Sequence, residues 1–222
     1  MRNCIVGIAM NLVTCLGANN SASANERYYM IVFGSQAEPN LPRFSHTFAA
    51  FAKVNSDGKD AKKDKIEIST ISWLPATLNI MPLRLKPEEG KNFGLAETLK
   101  CTKSTNAQTT AWGPFPIKKE LYDMVQTRIK LLNSGKISYI VLDGRFRGMA
   151  ATNCIHALSD VDVTQSLLDT GTAHGEAASE LVFQHLEKWV VRTGQDLRWL
   201  TNNLDLAKYD VRYAKLKADI AR

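Results

Sequence analysis

Ala151-Thr152-Asn153-Cys154-Ile155-His156-Ala157-Leu158-Ser159-Asp160 is the stretch on which the reading of this chain turns. It puts a cysteine directly after an Asn, at the expected start of a short helix. Asn153 or Thr152 can cap that helix, with Ile155, Ala157 and Leu158 as apolar anchors behind it. A thiol at that position sits in the positive end of the helix dipole, which favours the thiolate, the reactive form. The base it needs is offered far upstream by His46, on an apolar run that reads as a strand. The plain alternative is a core thiol that only packs.

Upstream of this stretch the pattern is β-type. Residues 27–34 are rich in aromatic and β-branched side chains and close on a glycine. Residues 44–54 predict a second strand, with Phe44, His46, Phe48, Ala50 and Ala52 on one face. Asp57-Gly58 marks the turn into a third strand over 66–73. Pairing the second and third strands across a turn near 59–60 brings Ser72 and Trp73 opposite His46. Ser72 is therefore the first candidate to orient the imidazole, with Glu67 behind it in another register. A short helix is expected over 95–103, a polar loop over 102–110, and an aromatic turn at Trp112-Gly113-Pro114-Phe115-Pro116. That turn opens the most strongly patterned helix, 117–133, which Gly135 ends. A short strand over 137–142 leads to the cysteine segment, and a further helix covers 176–192. The fold class this order predicts is α+β: a small antiparallel sheet packed by helices.

The 222 residues, 45% of them hydrophobic, suit one domain with a real core. Residues 1–24 carry a short basic start, an apolar run and the small-x-small site Ala22-Ser23-Ala24, and read as a secretory signal. The mature chain is then expected to begin at Asn25 and to be exported, periplasmic or extracellular. A lipoprotein reading on Cys15 fits worse, because Thr14 precedes that cysteine. The domain is expected over 25–195, with 196–222 as a helical or partly ordered tail. No stretch reads as a membrane span.

A net charge of +6 is modest, and the basic run at 59–65 is diluted by Asp60 and Asp64, with no interleaved aromatics. That argues against nucleic acid as a partner. The four histidines show no metal-ligand spacing, and there is no phosphate-cradling glycine loop and no Gly-x-Ser-x-Gly. No cofactor and no metal are expected. His156, two residues from Cys154, points to another helix face and reads as a brace rather than the base. His174 could line a cleft; His185 reads as packing. Trp73, Trp112, Phe115 and Tyr122 read as core or turn packing ahead of an aromatic cleft. Oligomeric state is not legible.

Asn153-Cys154-Ile155-His156, with a strand His upstream of the Cys, resembles the circularly permuted papain-like proteins. These are the permuted NlpC-like peptidases and the lecithin–retinol acyltransferase-like enzymes, whose motif is Asn-Cys-Glu-His-Phe. The likeness spans roughly residues 27–160. Ile155 and Ala157 depart from the acyltransferase motif, and no second His follows His46 in the next strand, so the lean is to the NlpC-like side. The resemblance implies a permuted papain-like fold and a cysteine hydrolase acting on a peptide or acyl-containing substrate, with cell-envelope material as the candidate. In it Cys154 is the nucleophile and His46 the base, while the Cys154 amide donates to the oxyanion and Ser72, Asn153 and His156 support. The competing expectation is a catalytically silent binding or structural module, in which Cys101 and Cys154 could be bridged.

Overall fold

The structure, a computed structural model, describes residues 25–56, 64–142, 148–191 and 196–214. The expected signal segment lies outside these residues. Three consecutive strands form an antiparallel meander: β1 (Asn25–Gln36), β2 (Ser45–Ser56) and β3 (Lys65–Ile71). β4 (Trp73–Pro75) and β5 (Gly90–Asn92) make a small separate ladder. After α1 (Leu95–Ser104) comes β6 (Gln108–Ile117), which pairs with the other edge of β1. α2 (Lys119–Leu132) follows, and β7 (Ser138–Tyr139) and β8 (Ala151–Thr152) pair in parallel just before α3 (Cys154–Ser159). The chain continues through α4 (Gly175–Leu186) and α5 (Arg198–Asn203) to β9 (Arg212–Tyr213).

The main sheet runs β3-β2-β1-β6-β9, and its last pair is parallel. The class is α+β as expected, but the sheet is mixed rather than wholly antiparallel. Both faces are covered, so β1 reads as a nearly continuous apolar run instead of an alternating one. Met30, Val32, Ala49, Phe51 and Ile71 face Leu121 and Val125 of α2, Ala157 and Leu158 of α3, and Val182 and Phe183 of α4. Ile31, Phe33, Phe48 and Ala50 face Leu99 of α1 and Leu206. Each fully buried side chain of this kind contributes about 1.5–3 kcal/mol relative to exposure. Gly34 lets α4 lie directly on β1: a Cβ there would come 2.7 Å from Ser179 Oγ and 2.9 Å from Glu176 Cα.

One expectation changes. The end of the polar loop over 102–110 and the aromatic turn after it are one strand, β6, while residues 102–104 complete α1. Pro114 is tolerated because the β1–β6 register shifts between Met30 and Val32, where Gly113 takes a φ of +109°; Pro116 keeps regular register opposite Tyr29. The segment 196–214, expected to be helical or partly ordered, carries α5 and β9. Leu200 and Leu206 are fully buried in it, and β9 extends the main sheet. Among the described residues, no helix is long and apolar enough to cross a membrane.

Candidate active site

Strand alternation places His46. Ala49 and Ile71 are the last paired residues of β2 and β3 and share one face, so His46, Phe48 and Ser72 share the other. His46 Nε2 lies 2.9 Å from Ser72 Oγ. The ring also stacks on Phe48, with centroids 5.2 Å apart. Ser72 is held from several sides: its amide donates to Asn92 Oδ1 at 2.8 Å, and its carbonyl accepts from the Phe93 amide at 2.9 Å. Asn92 Nδ2 in turn donates to the Thr70 carbonyl. Glu67, the other candidate partner, sits on β3 opposite Lys53 and pairs with Lys65 at 2.9 Å, well down the strand from His46. The partner is Ser72.

His46 is buried, and that burial pushes its pKa down to about 3. The imidazole is therefore neutral at ordinary pH and carries one N–H. Its Nδ1 is buried and has no hydrogen-bond partner.

Cys154 begins α3, as expected. Asn153 caps that helix: its Oδ1 accepts from the His156 amide at 2.9 Å, and its Nδ2 donates to the Val141 carbonyl at 3.2 Å. The far end is closed by Arg128, whose guanidinium donates to the His156 and Ala157 carbonyls, each at 3.0 Å. A helix of six residues would not persist alone. Here side chains at both ends and the core beneath Ala157 and Leu158 hold it.

The nearby backbone amides of Thr47, Cys154 and Ile155 act to favour the Cys154 thiolate. Burial acts in the opposite direction and is the larger effect, so the thiol pKa is raised above its ordinary value. The expectation that the helix start would favour the thiolate is thus corrected. Desolvation outweighs the amides of so short a helix.

No hydrogen bond joins Cys154 to His46. The His46 side chain lies on the face of the sheet that α1 covers, while α3 packs on the other; among the groups that influence the thiol is the amide of Thr47, the residue next to His46. This part of β2 lies beyond its last pair with β3. The Thr47 side chain goes the other way, to Ser179 of α4 at 2.8 Å.

His156 is buried, with Nδ1 3.4 Å from Ser159 Oγ and 3.8 Å from Asp160 Oδ1, so it packs behind α3. Trp73 and Tyr122 are core residues, and Trp73 Nε1 donates to the Thr152 carbonyl at 3.2 Å, tying β4 to the cysteine segment. Tyr139 escaped the sequence reading. It is buried on β7, and that burial, with Cys154 and Glu88 nearby, pushes its phenol pKa well up. Nothing in its short apolar surroundings distinguished it from packing.

A cavity of about 550 Å³ opens beside the start of α3, lined by Val141, Leu142, Asn153, Ile155, Leu168 and His174 among others. His174 does line a cleft, its ring nitrogens 3.0 Å from the Thr172 carbonyl and 3.3 Å from that of Asn40. Cys101 and Cys154 are both free thiols. Among the described residues no three His, Cys, Asp or Glu side chains are grouped to hold a metal ion.

No protein-family model, curated protein or solved structure matches the chain. What the site can do follows from its own atoms: a neutral imidazole with a buried, unpartnered nitrogen, and a thiol at the start of α3.

Proposed function

We propose that the protein is an exported cysteine-dependent hydrolase of amide or ester bonds, built on a permuted papain-like plan. The observation that supports it most is the state of His46. One ring nitrogen is engaged by Ser72, and the other is buried and unpartnered. A buried polar atom without a partner is costly, and such atoms concentrate where chemistry needs them.

In this mechanism His46 Nδ1 takes the thiol proton as Cys154 Sγ attacks the substrate carbonyl carbon. The carbonyl oxygen becomes an oxyanion, and the Cys154 amide donates to it. When the tetrahedral intermediate collapses, the imidazolium returns the proton to the leaving amine or alcohol. A thioester on Cys154 remains. Water, deprotonated by the same imidazole, attacks it and releases the acid and the thiol. The cavity beside Ile155, where Val141, Leu142 and Leu168 meet Asn153, Asp169 and His174, borders Cys154 through its chain neighbours and suits a substrate with both apolar and polar groups, with envelope peptides as the candidates.

A second reading has one specific observation behind it. Burial pushes both Cys154 and His46 toward their neutral forms, so the resting pair is thiol and imidazole rather than an ion pair. A binding module without activity would also tolerate that.

The deciding experiment is alkylation of the mature protein by iodoacetamide near neutral pH, with mass-spectrometric site mapping. An enzyme shows Cys154 modified much faster in wild type than in His46→Ala, and Cys101 slower than either. Equal rates at Cys154 in the two proteins leave the binding module. Mass spectrometry of the exported fraction checks the address: a chain starting at Asn25 supports it, and a retained Met1 or a lipid on Cys15 overturns it.

A further inference from the structure

Behind Ser72 stands another buried hydroxyl. Thr98, on the first turn of α1, has its Oγ1 within reach of two acceptors, Ser72 Oγ at 2.8 Å and the Gly94 carbonyl at 3.0 Å. It has one proton for the two. Ser72, Thr98 and His46 are all buried, so the protein's own groups set which way the protons run.

Two arrangements satisfy the distances. In one, Thr98 donates to Ser72 and Ser72 donates to Nε2, which puts the imidazole proton on Nδ1. There it is a buried N–H with no acceptor. In the other, Thr98 donates to the Gly94 carbonyl, Ser72 donates to Thr98, and Nε2–H donates to Ser72. Every donor in the second arrangement has an acceptor; only the Nδ1 lone pair is left over. A hydroxyl rotates freely between such roles, while an idle buried donor is expensive.

We propose that Thr98 is a positioning residue which, through Ser72, holds His46 as the Nε2–H tautomer with its Nδ1 lone pair bare. The catalytic meaning of that tautomer rests on the role of His46 as the base; the tautomer itself does not. Without the Thr98 hydroxyl, the Ser72 proton loses its acceptor and turns to Nε2. The imidazole proton is then displaced onto Nδ1, where it blocks proton transfer from the thiol.

The test uses the full mature chain with ¹⁵N-labelled histidine and long-range ¹H–¹⁵N correlation at neutral pH, His46 being assigned by its absence in His46→Gln. Wild type should show a protonated Nε2 and a bare Nδ1. Thr98→Val, close in shape but without the hydroxyl, should move the proton to Nδ1, and Thr98→Ser should restore it. Alkylation of Cys154 should fall on the order of tenfold in Thr98→Val and recover in Thr98→Ser. A wild-type spectrum with Nδ1 protonated overturns the proposal whether or not the variants fold. So does a Thr98→Val tautomer unchanged from wild type. If the tautomer moves as stated while Cys154 alkylation stays constant, Thr98 keeps its positioning role and His46 loses that of base.

Discussion

Ser72 Oγ stands 2.9 Å from His46 Nε2, although neither residue belongs to a rung of the β2–β3 ladder. The contact is made just past the end of β3, where Asn92 and Phe93 fix the Ser72 backbone. A side-chain contact held so firmly at both ends makes the orientation of His46 a property of the folded state.

Substitutions at the pair should act as on one unit. Cys154→Ala and His46→Ala are each expected to lower hydrolytic turnover by about a hundredfold or more, with far-ultraviolet circular dichroism unchanged. His156→Ala should cost on the order of tenfold, because it packs behind α3 rather than at the thiol. Steady-state kinetics of the three variants side by side decide the matter. Equal damage from His156→Ala and His46→Ala would mean that the base has been misassigned.

Burial of His46 should show in the pH dependence of folding. Its value is about 3 in the folded protein against 6.5 as the ordinary reference. Between those values the unfolded chain binds a proton that the folded chain does not. The stabilisation is fully present above about 6.5 and is lost as pH falls toward 3, with a limiting slope of about 1.4 kcal/mol per pH unit. Urea denaturation of wild type and His46→Gln across that window provides the measurement, and the stability difference between them should shrink as the pH drops.

The thiol titrates in the opposite sense to a preformed ion pair. Cys154 is raised above its ordinary value of 9.0, so its alkylation rate should climb steadily through alkaline pH with no plateau on the acid side. Asn153→Asp keeps the capping oxygen and adds a negative charge beside the sulfur, so it should move the curve further up. Asn153→Ala should leave the curve nearer its place but cost about 1 kcal/mol of stability as the cap is lost.

Gly90 is the site where one methyl group should do the most damage. A Cβ there would fall 2.0 Å from Trp73 Cζ2, inside a ring that is 1% exposed. Gly90→Ala should therefore displace Trp73 and weaken its bond to the Thr152 carbonyl, at about 1–3 kcal/mol. Thermal unfolding reads the loss. A melting temperature equal to wild type would show that the Trp73 pocket yields more easily than its packing suggests.

Local chemistry was readable in the sequence wherever one residue type did one job. Asn153 announced the start of α3, and period-two spacing assigned His46 to its strand and Ser72 to its neighbourhood. β6 was hidden because Gly113, Pro114 and Pro116 are turn residues in any short window. The shift against Met30 and Val32 of β1 accommodates Gly113 and Pro114, and Pro116 pairs with Tyr29 beyond it. β9 was hidden for a related reason: the polar segment 196–214 buries Leu200 and Leu206 against a sheet assembled much earlier in the chain. The thiol's ionisation depended on a balance between desolvation and three amides, one of them from a distant strand, and no motif encodes that balance.

Because β1, β2 and β3 follow one another and α1 comes directly after β5, the imidazole half of the site is contiguous in the chain, ending at Thr98. The thiol half begins only after β6 and α2 have been made. During synthesis the orienting hydroxyls can thus close around His46 before Cys154 leaves the ribosome. The nucleophile is the late arrival, docking onto a partner already set. Until it docks, the sulfur lacks the surroundings that set its ionisation, so the order of emergence makes completion of the fold the step that fixes the reactivity of this thiol.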